Sequence, residues 1–202
     1  WMFISSGSAM RRPSARGLRP LAITLLTFTL LTFTLLTGWP QPVWATAPDL
    51  PAPVLSLNPD WRLLGSGEAR FLGLRLYDAS LWVAGAAYRD DAPFALSLTY
   101  ARGFSRARLV DTSLDEMRRL GGADEARLAR WKLLLEQVFP DVAAGETIVG
   151  VNLQGGGAAF YHQGRLSGKV ADPAFARAFF AIWLDARTRV PALRARLLGQ
   201  PS

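Results

Sequence analysis

Cysteine is absent from the 202 residues, and histidine occurs once, at His162. The first absence excludes disulfides, thiolate catalysis, zinc ribbons and iron–sulfur clusters. The second excludes a multi-histidine metal site and argues against a Ser-His-Asp triad. Lysine is scarce as well: Lys132 and Lys169 are the only two, so arginine carries nearly all the positive charge. Acid is missing from the first 45 residues, which hold Arg11, Arg12, Arg16 and Arg19. That stretch supplies much of the +7 net charge, because the other 157 residues hold 19 basic against 16 acidic side chains. Those are interspersed, as on a solvated surface, so a nucleic-acid partner is not expected.

What is present begins with a leader. From Met10, an arginine-bearing segment precedes an apolar run from Leu21 to Thr37, then Gly38-Trp39-Pro40 and the small-residue site Val43-Trp44-Ala45. This layout predicts a secretory signal peptide with an upstream extension over residues 1–45, cleaved after Ala45. Cleavage after Ala47 would set Pro48 directly behind the scissile bond. The pentamer Thr-Phe-Thr-Leu-Leu, repeated at Thr27–Leu31 and Thr32–Leu36, reads as low-complexity filler. An uncleaved anchor is the alternative, at the short end for a bilayer span. The remainder is expected to be periplasmic or secreted, without stable membrane insertion after cleavage.

Pro48 to Pro59 carries four prolines and reads as an extended linker over residues 46–60. A globular domain is expected over residues 61–200. Leu72, Leu74 and Leu76 alternate with Gly73, Arg75 and Tyr77 as a strand, Ala79, Leu81 and Val83 continue the alternation, and Phe94 to Tyr100 repeats it. The period then changes. Ser105 can cap a helix with Val110, Leu114 and Met117 on one stripe, ended by Gly121-Gly122. A second helix from Asp124 lines up Leu128, Trp131, Leu135 and Val138 before Pro140. Strands return at Glu146–Leu153, Ala159–His162 and Arg165–Val170, separated by glycine turns. Asp172-Pro173 starts a helix with Phe175, Ala178, Phe179, Ile182 and Trp183 on its apolar face. A last short helix runs from Pro191 to Leu198. Strands and helices so segregated predict an α+β fold, an antiparallel sheet with helices packed on one face and water on the other. The space between the two layers is the place for a small-molecule cleft.

Few residues in this frame carry chemistry. Gly65-Ser66-Gly67 is followed by a strand rather than a helix, which removes nucleotide binding and leaves a tight bend. His162, beside the Gln163-Gly164 turn, reads as a solvated histidine. The acids Asp90-Asp91, Asp115-Glu116 and Asp124-Glu125 are sequence neighbours that do not face each other, so no glycosidase pair is indicated. Arg75 and Tyr77 share a strand face by the period-two rule, with Arg70 on the other. A guanidinium beside a phenol can hold an anionic or phenolic oxygen. Arg70, Arg75 and Tyr77 are therefore the candidate ligand contacts. No metal or cofactor is expected.

The run Gly65-Ser66-Gly67-Glu68-Ala69-Arg70-Phe71 into Leu72–Val83 resembles the opening of the bacterial chalcone isomerase-like family. Ala95–Tyr100, Glu116-Met117-Arg118-Arg119, Phe139-Pro140-Asp141-Val142, Gln163-Gly164-Arg165, Asp172–Phe175, Phe179–Leu184 and Pro191–Gly199 follow in the family's order. The resemblance implies the chalcone isomerase fold, an open-faced β-sandwich with helices backing a long sheet. In plant enzymes of this fold a phenolate attacks an enone within one molecule, and an arginine at the strand entry stabilises the oxyanion. Here that arginine's place is taken by Ala69, with Arg70 one residue later, and the strand threonine falls at Tyr77. Losing such a donor removes about 3 kcal/mol of transition-state stabilisation. The resemblance therefore implies a non-catalytic protein that binds a small apolar or fatty-acid-like ligand between sheet and helices. The alternatives are an isomerase acting on a phenolic enone and an envelope interaction module without ligand.

Overall fold

The structure is a computed structural model that describes residues 50–200. The signal peptide and cleavage site expected over residues 1–45 lie outside the described residues. The elements in chain order are α1 (Ala52–Leu55), β1 (Trp61–Phe71), β2 (Leu74–Ala84), β3 (Phe94–Tyr100), α2 (Arg106–Arg119) and α3 (Glu125–Val138). Then come β4 (Thr147–Asn152), β5 (Ala158–His162), β6 (Arg165–Val170), α4 (Pro173–Leu184) and α5 (Pro191–Leu197). The six strands form one antiparallel meander in chain order, β1 to β6. The expected α+β, open-sheet architecture is the observed one. Among the described residues no helix is long and apolar enough to cross a membrane.

The helices start where their caps dictate. Ser105 Oγ accepts from the Arg108 N–H at 3.3 Å, and Asp124 Oδ1 accepts from Arg127 N–H at 2.8 Å. Asp172 Oδ1 takes both the Ala174 and Phe175 N–H groups, leaving its other oxygen for the Trp131 indole at 2.9 Å. One carboxylate thus caps α4 and ties it to α3. The main core lies between the sheet and α2–α5, and its centre is aromatic: Phe160, Phe175 and Phe179 sit with ring centroids 5.1–6.2 Å apart.

Three expectations change. Gly65-Ser66-Gly67 is not a bend but the middle of β1. A Cβ on Gly65 would stand 2.0 Å from the Arg196 carbonyl oxygen, so glycine is required by the close passage of α5. Leu72 is not in a strand: with Gly73 it forms the β1–β2 turn, both at positive φ. The supposed linker is not extended where it is described. Pro51 starts the single turn α1, and Leu50 and Val54 are buried on the sheet's second face with Val149, Val151 and Tyr161. That face is therefore partly covered rather than fully open to water. Trp61 holds the cover down by donating its indole N–H to the Val54 carbonyl.

Candidate functional site

A cavity of about 830 Å³ opens between the sheet and the helical layer, within the ~300–1,000 Å³ range of small-molecule sites. Its sheet wall is built by period-two alternation. Ala69, Tyr77, Leu98 and Ile148 come from neighbouring strands, paired as Ala69↔Tyr77, Tyr77↔Tyr100 and Leu98↔Ile148. Its roof is α2, which packs chiefly on α3 and α4 and so stands off the strands. Phe139, Phe160, Phe179 and Phe180 close the inner end, and the exposed Arg70, Phe71, Arg102 and Arg108 mark the mouth.

Two phenols lie inside. Tyr77 Oη accepts from the Trp183 indole N–H at 2.9 Å, which leaves its own proton free to donate. The Tyr100 ring meets Tyr77 edge-on with centroids 6.0 Å apart, and no protein group bonds its hydroxyl among the described residues. Burial raises the pKa of both, Tyr77 despite the Trp183 bond and Tyr100 with some help from its phenol neighbour. Both are neutral donors at physiological pH. Glu116 also lines the cavity, its carboxylate clamped by Arg119 at 2.7 Å and by Arg189 at 3.1 Å. This paired carboxylate is a structural tie between α2 and the segment after α4.

The three expected contacts separate. Tyr77 lines the cavity. Arg70 sits at the mouth, but its guanidinium turns back along the strand to Glu68 (2.6 Å) and to the Gly73 carbonyl (3.2 Å). Arg75 does not share a face with Tyr77. The ladder pairs Arg70 with Arg75 but Ala69 with Tyr77, so Leu76 is an extra residue that resets the alternation. Arg75 is thereby turned to Asp78, with Glu68 3.8 Å away. Position 69, the place that the family resemblance gives to a catalytic arginine, holds a buried methyl group.

Arg102 and Arg108 are not among the expected contacts, yet both line the cavity. Arg102 looks like any loop arginine. Arg108 carried a signal: with Arg106 it occupies the first turn of α2, which has no acid, and there positive charge opposes the helix dipole. His162 is not in the cavity. Its Nε2 lies 3.0 Å from Glu146 Oε2, which also accepts the Ala143 N–H, so it clamps a loop. Among the described residues no cluster of histidine, aspartate and glutamate has the makings of a metal site.

Residues 49–199 match the model of the chalcone isomerase-like family. The chain belongs to that family. Among solved structures it is similar to a fatty-acid binding protein of Arabidopsis thaliana, with 16% identity and a TM-score of 0.54 over 69% of this chain and 87% of that one. At that identity the likeness speaks for the chalcone isomerase-like fold alone. No curated protein matches. The expected fold family is thus the observed one, and Ala69 lies on a wall of the cavity.

Proposed function

We propose that this chalcone isomerase-like chain is a non-catalytic carrier of a small amphipathic ligand, of fatty-acid type, exported to the periplasm. The observation that carries the reading is the cavity itself: it is sized for a drug-sized or acyl ligand, walled by phenylalanines and leucines, and lacks the strand guanidinium at position 69. An apolar tail gains about 0.8 kcal/mol for each methylene buried there. The polar end belongs at the mouth, where Arg102 and Arg108 offer forked donors to a carboxylate. Placing that charge deeper, among neutral phenols, would cost more than they return. The Arabidopsis neighbour, a fatty-acid binding protein, agrees with this class of ligand. Export rests on the pattern of residues 10–45.

Enone cyclisation is disfavoured by the same wall. The Tyr77 and Tyr100 hydroxyls could hold a ketone oxygen, but the buried Ala69 methyl supplies no donor to a developing oxyanion.

Trp183 makes the test direct, because its indole lines the cavity and bonds Tyr77. Titration with dodecanoate is expected to shift the tryptophan emission saturably, and the Trp183→Phe variant to lose most of the shift. Mass spectrometry of the purified protein is expected to find a carried acyl compound. No emission change together with an empty spectrum would end the binding reading. Chalcone absorbance that decays faster with protein than without it would end the non-catalytic one.

A further inference from the structure

The β1–β2 turn breaks two local rules together. Leu72 and Gly73 have φ of 48° and 79°, the conformation that a two-residue hairpin turn takes and that Asn-Gly or Asp-Gly fits best. A leucine there is strained by its own Cβ, and Leu72 is also 86% exposed. Its neighbours repeat the anomaly: Phe71 is 64% and Leu74 55% exposed. Contiguous apolar groups on a hairpin tip return little to folding and mark a contact surface.

The charge around the tip is one-signed once the pairs are removed. Glu68 and Asp78 are taken up by Arg70 and Arg75. The Ala101 N–H donates to the Leu76 carbonyl at 2.9 Å, continuing the ladder past Tyr100 and setting Arg102 beside the hairpin. Arg102 and Arg108 share the cavity mouth with Phe71, and neither has an ion-pair partner among the described residues. A protein interface needs roughly 800 Å² on each side, which a narrow three-residue tip does not supply. An apolar tip flanked on its cavity side by two uncompensated guanidiniums suits the headgroup and outer acyl layer of an anionic bilayer.

We propose that the hairpin tip Phe71–Leu74 docks the protein on an anionic lipid surface, burying Leu72 and Leu74 among acyl chains while Arg102 and Arg108 meet lipid phosphates. Phe71 belongs to both tip and mouth, so docking turns the cavity towards the lipid. An amphipathic ligand can then pass between bilayer and cavity without crossing bulk water. The docking surface stands on the tip and its charges and survives even if the carried ligand is of another class.

The absence of native cysteine allows a clean probe. Leu72→Cys and, at the opposite end of the sheet, the exposed Gln154→Cys are each labelled with an environment-sensitive fluorophore and mixed with phosphatidylcholine vesicles, with and without phosphatidylglycerol. The Leu72 label is expected to brighten and shift to the blue while the Gln154 label stays unchanged. Phosphatidylglycerol should lower the half-saturating lipid concentration about tenfold, and Arg102→Gln with Arg108→Gln should erase that difference. Leu74→Thr should weaken docking about tenfold yet keep the dodecanoate response in vesicle-free solution, which separates loss of docking from loss of ligand binding. An unshifted Leu72 label, or equal shifts at both labels, overturns the proposal. So does a Leu72 shift that follows protein concentration without vesicles, which would assign the tip to a second copy of the chain.

Discussion

Helices α2 and α3 have the same length and each is capped by a side-chain oxygen, yet they meet the sheet differently. α3 lies against β6, and its stripe of Leu128, Trp131, Leu135 and Val138 is buried. α2 rests its own stripe of Val110, Leu114 and Met117 on other helices, and turns Leu109, Thr112, Ser113 and Glu116 over the cavity. One end of the interlayer space is therefore filled with aromatic rings and the other is hollow. A hollow is costly where it could have collapsed, so its persistence between well-packed elements is what the proposed carrier role would require of that end.

The comparison breaks if both ends respond alike to truncation. Phe175 is fully buried, stacked on Phe179 and edge-on to Trp131. Phe175→Ala is expected to lower stability by about 3–5 kcal/mol, read as the midpoint of chemical denaturation, without changing ligand specificity. Ile182, on the same helix but lining the cavity, is already partly accessible. Ile182→Ala should cost about 1–2 kcal/mol and shift preference towards bulkier acyl chains. Equal losses at the two positions would mean that the hollow is packed in solution.

Asp172 tests the filled end through pH. Burial alone would raise its pKa, but the Trp131 indole and the Phe175 and Ala174 N–H groups outweigh that and hold the carboxyl below its usual range. A group lowered on folding stabilises above its unfolded pKa, about 4, and that contribution disappears as pH falls through the folded value. The thermal midpoint should therefore drop on acidification below about pH 4. Asp172→Ala should cost about 1–2 kcal/mol at pH 7 and flatten that part of the acid dependence. An unchanged acid slope would show that Asp172 does not couple α3 to α4.

How much of this was legible follows the range of the cause. Ser105, Asp124 and Asp172-Pro173 named their helices because caps act within one turn. Phe94–Tyr100 named its strand because one face alternates locally. Gly65-Ser66-Gly67 did not, because its glycines answer to the Arg196 carbonyl, which reaches β1 only through the tertiary fold. Arg75 was placed on the wrong face by the single extra residue Leu76, a bulge with no sequence mark of its own. The α2 residues over the cavity carry no mark in the sequence, since a polar wall and a wet surface have the same pattern. The family's ordered motifs drew attention to position 69 and Tyr77, and both line the cavity. Arg102 has no sequence mark, and Arg108 only the acid-free first turn of α2.

Smaller effects sharpen the contrast at single hydrogen bonds. Tyr77→Phe, at the hollow end, removes the acceptor of the Trp183 indole. The freed N–H faces the cavity and can be met by water or ligand, so the expected loss is about 1 kcal/mol, together with a changed tryptophan emission. On the sheet's second face Trp82 presents the opposite case: its Nε1 is buried and meets no hydrogen-bond partner among the described residues. Here the unsatisfied donor already burdens the folded state, and deleting it offsets the volume lost. Trp82→Phe is therefore expected to change the thermal midpoint by no more than the equivalent of about 1 kcal/mol, in either direction. A large destabilisation would show that the indole N–H has a partner in solution, and the segment around Leu50 and Val54 that covers this face would be the place to find it.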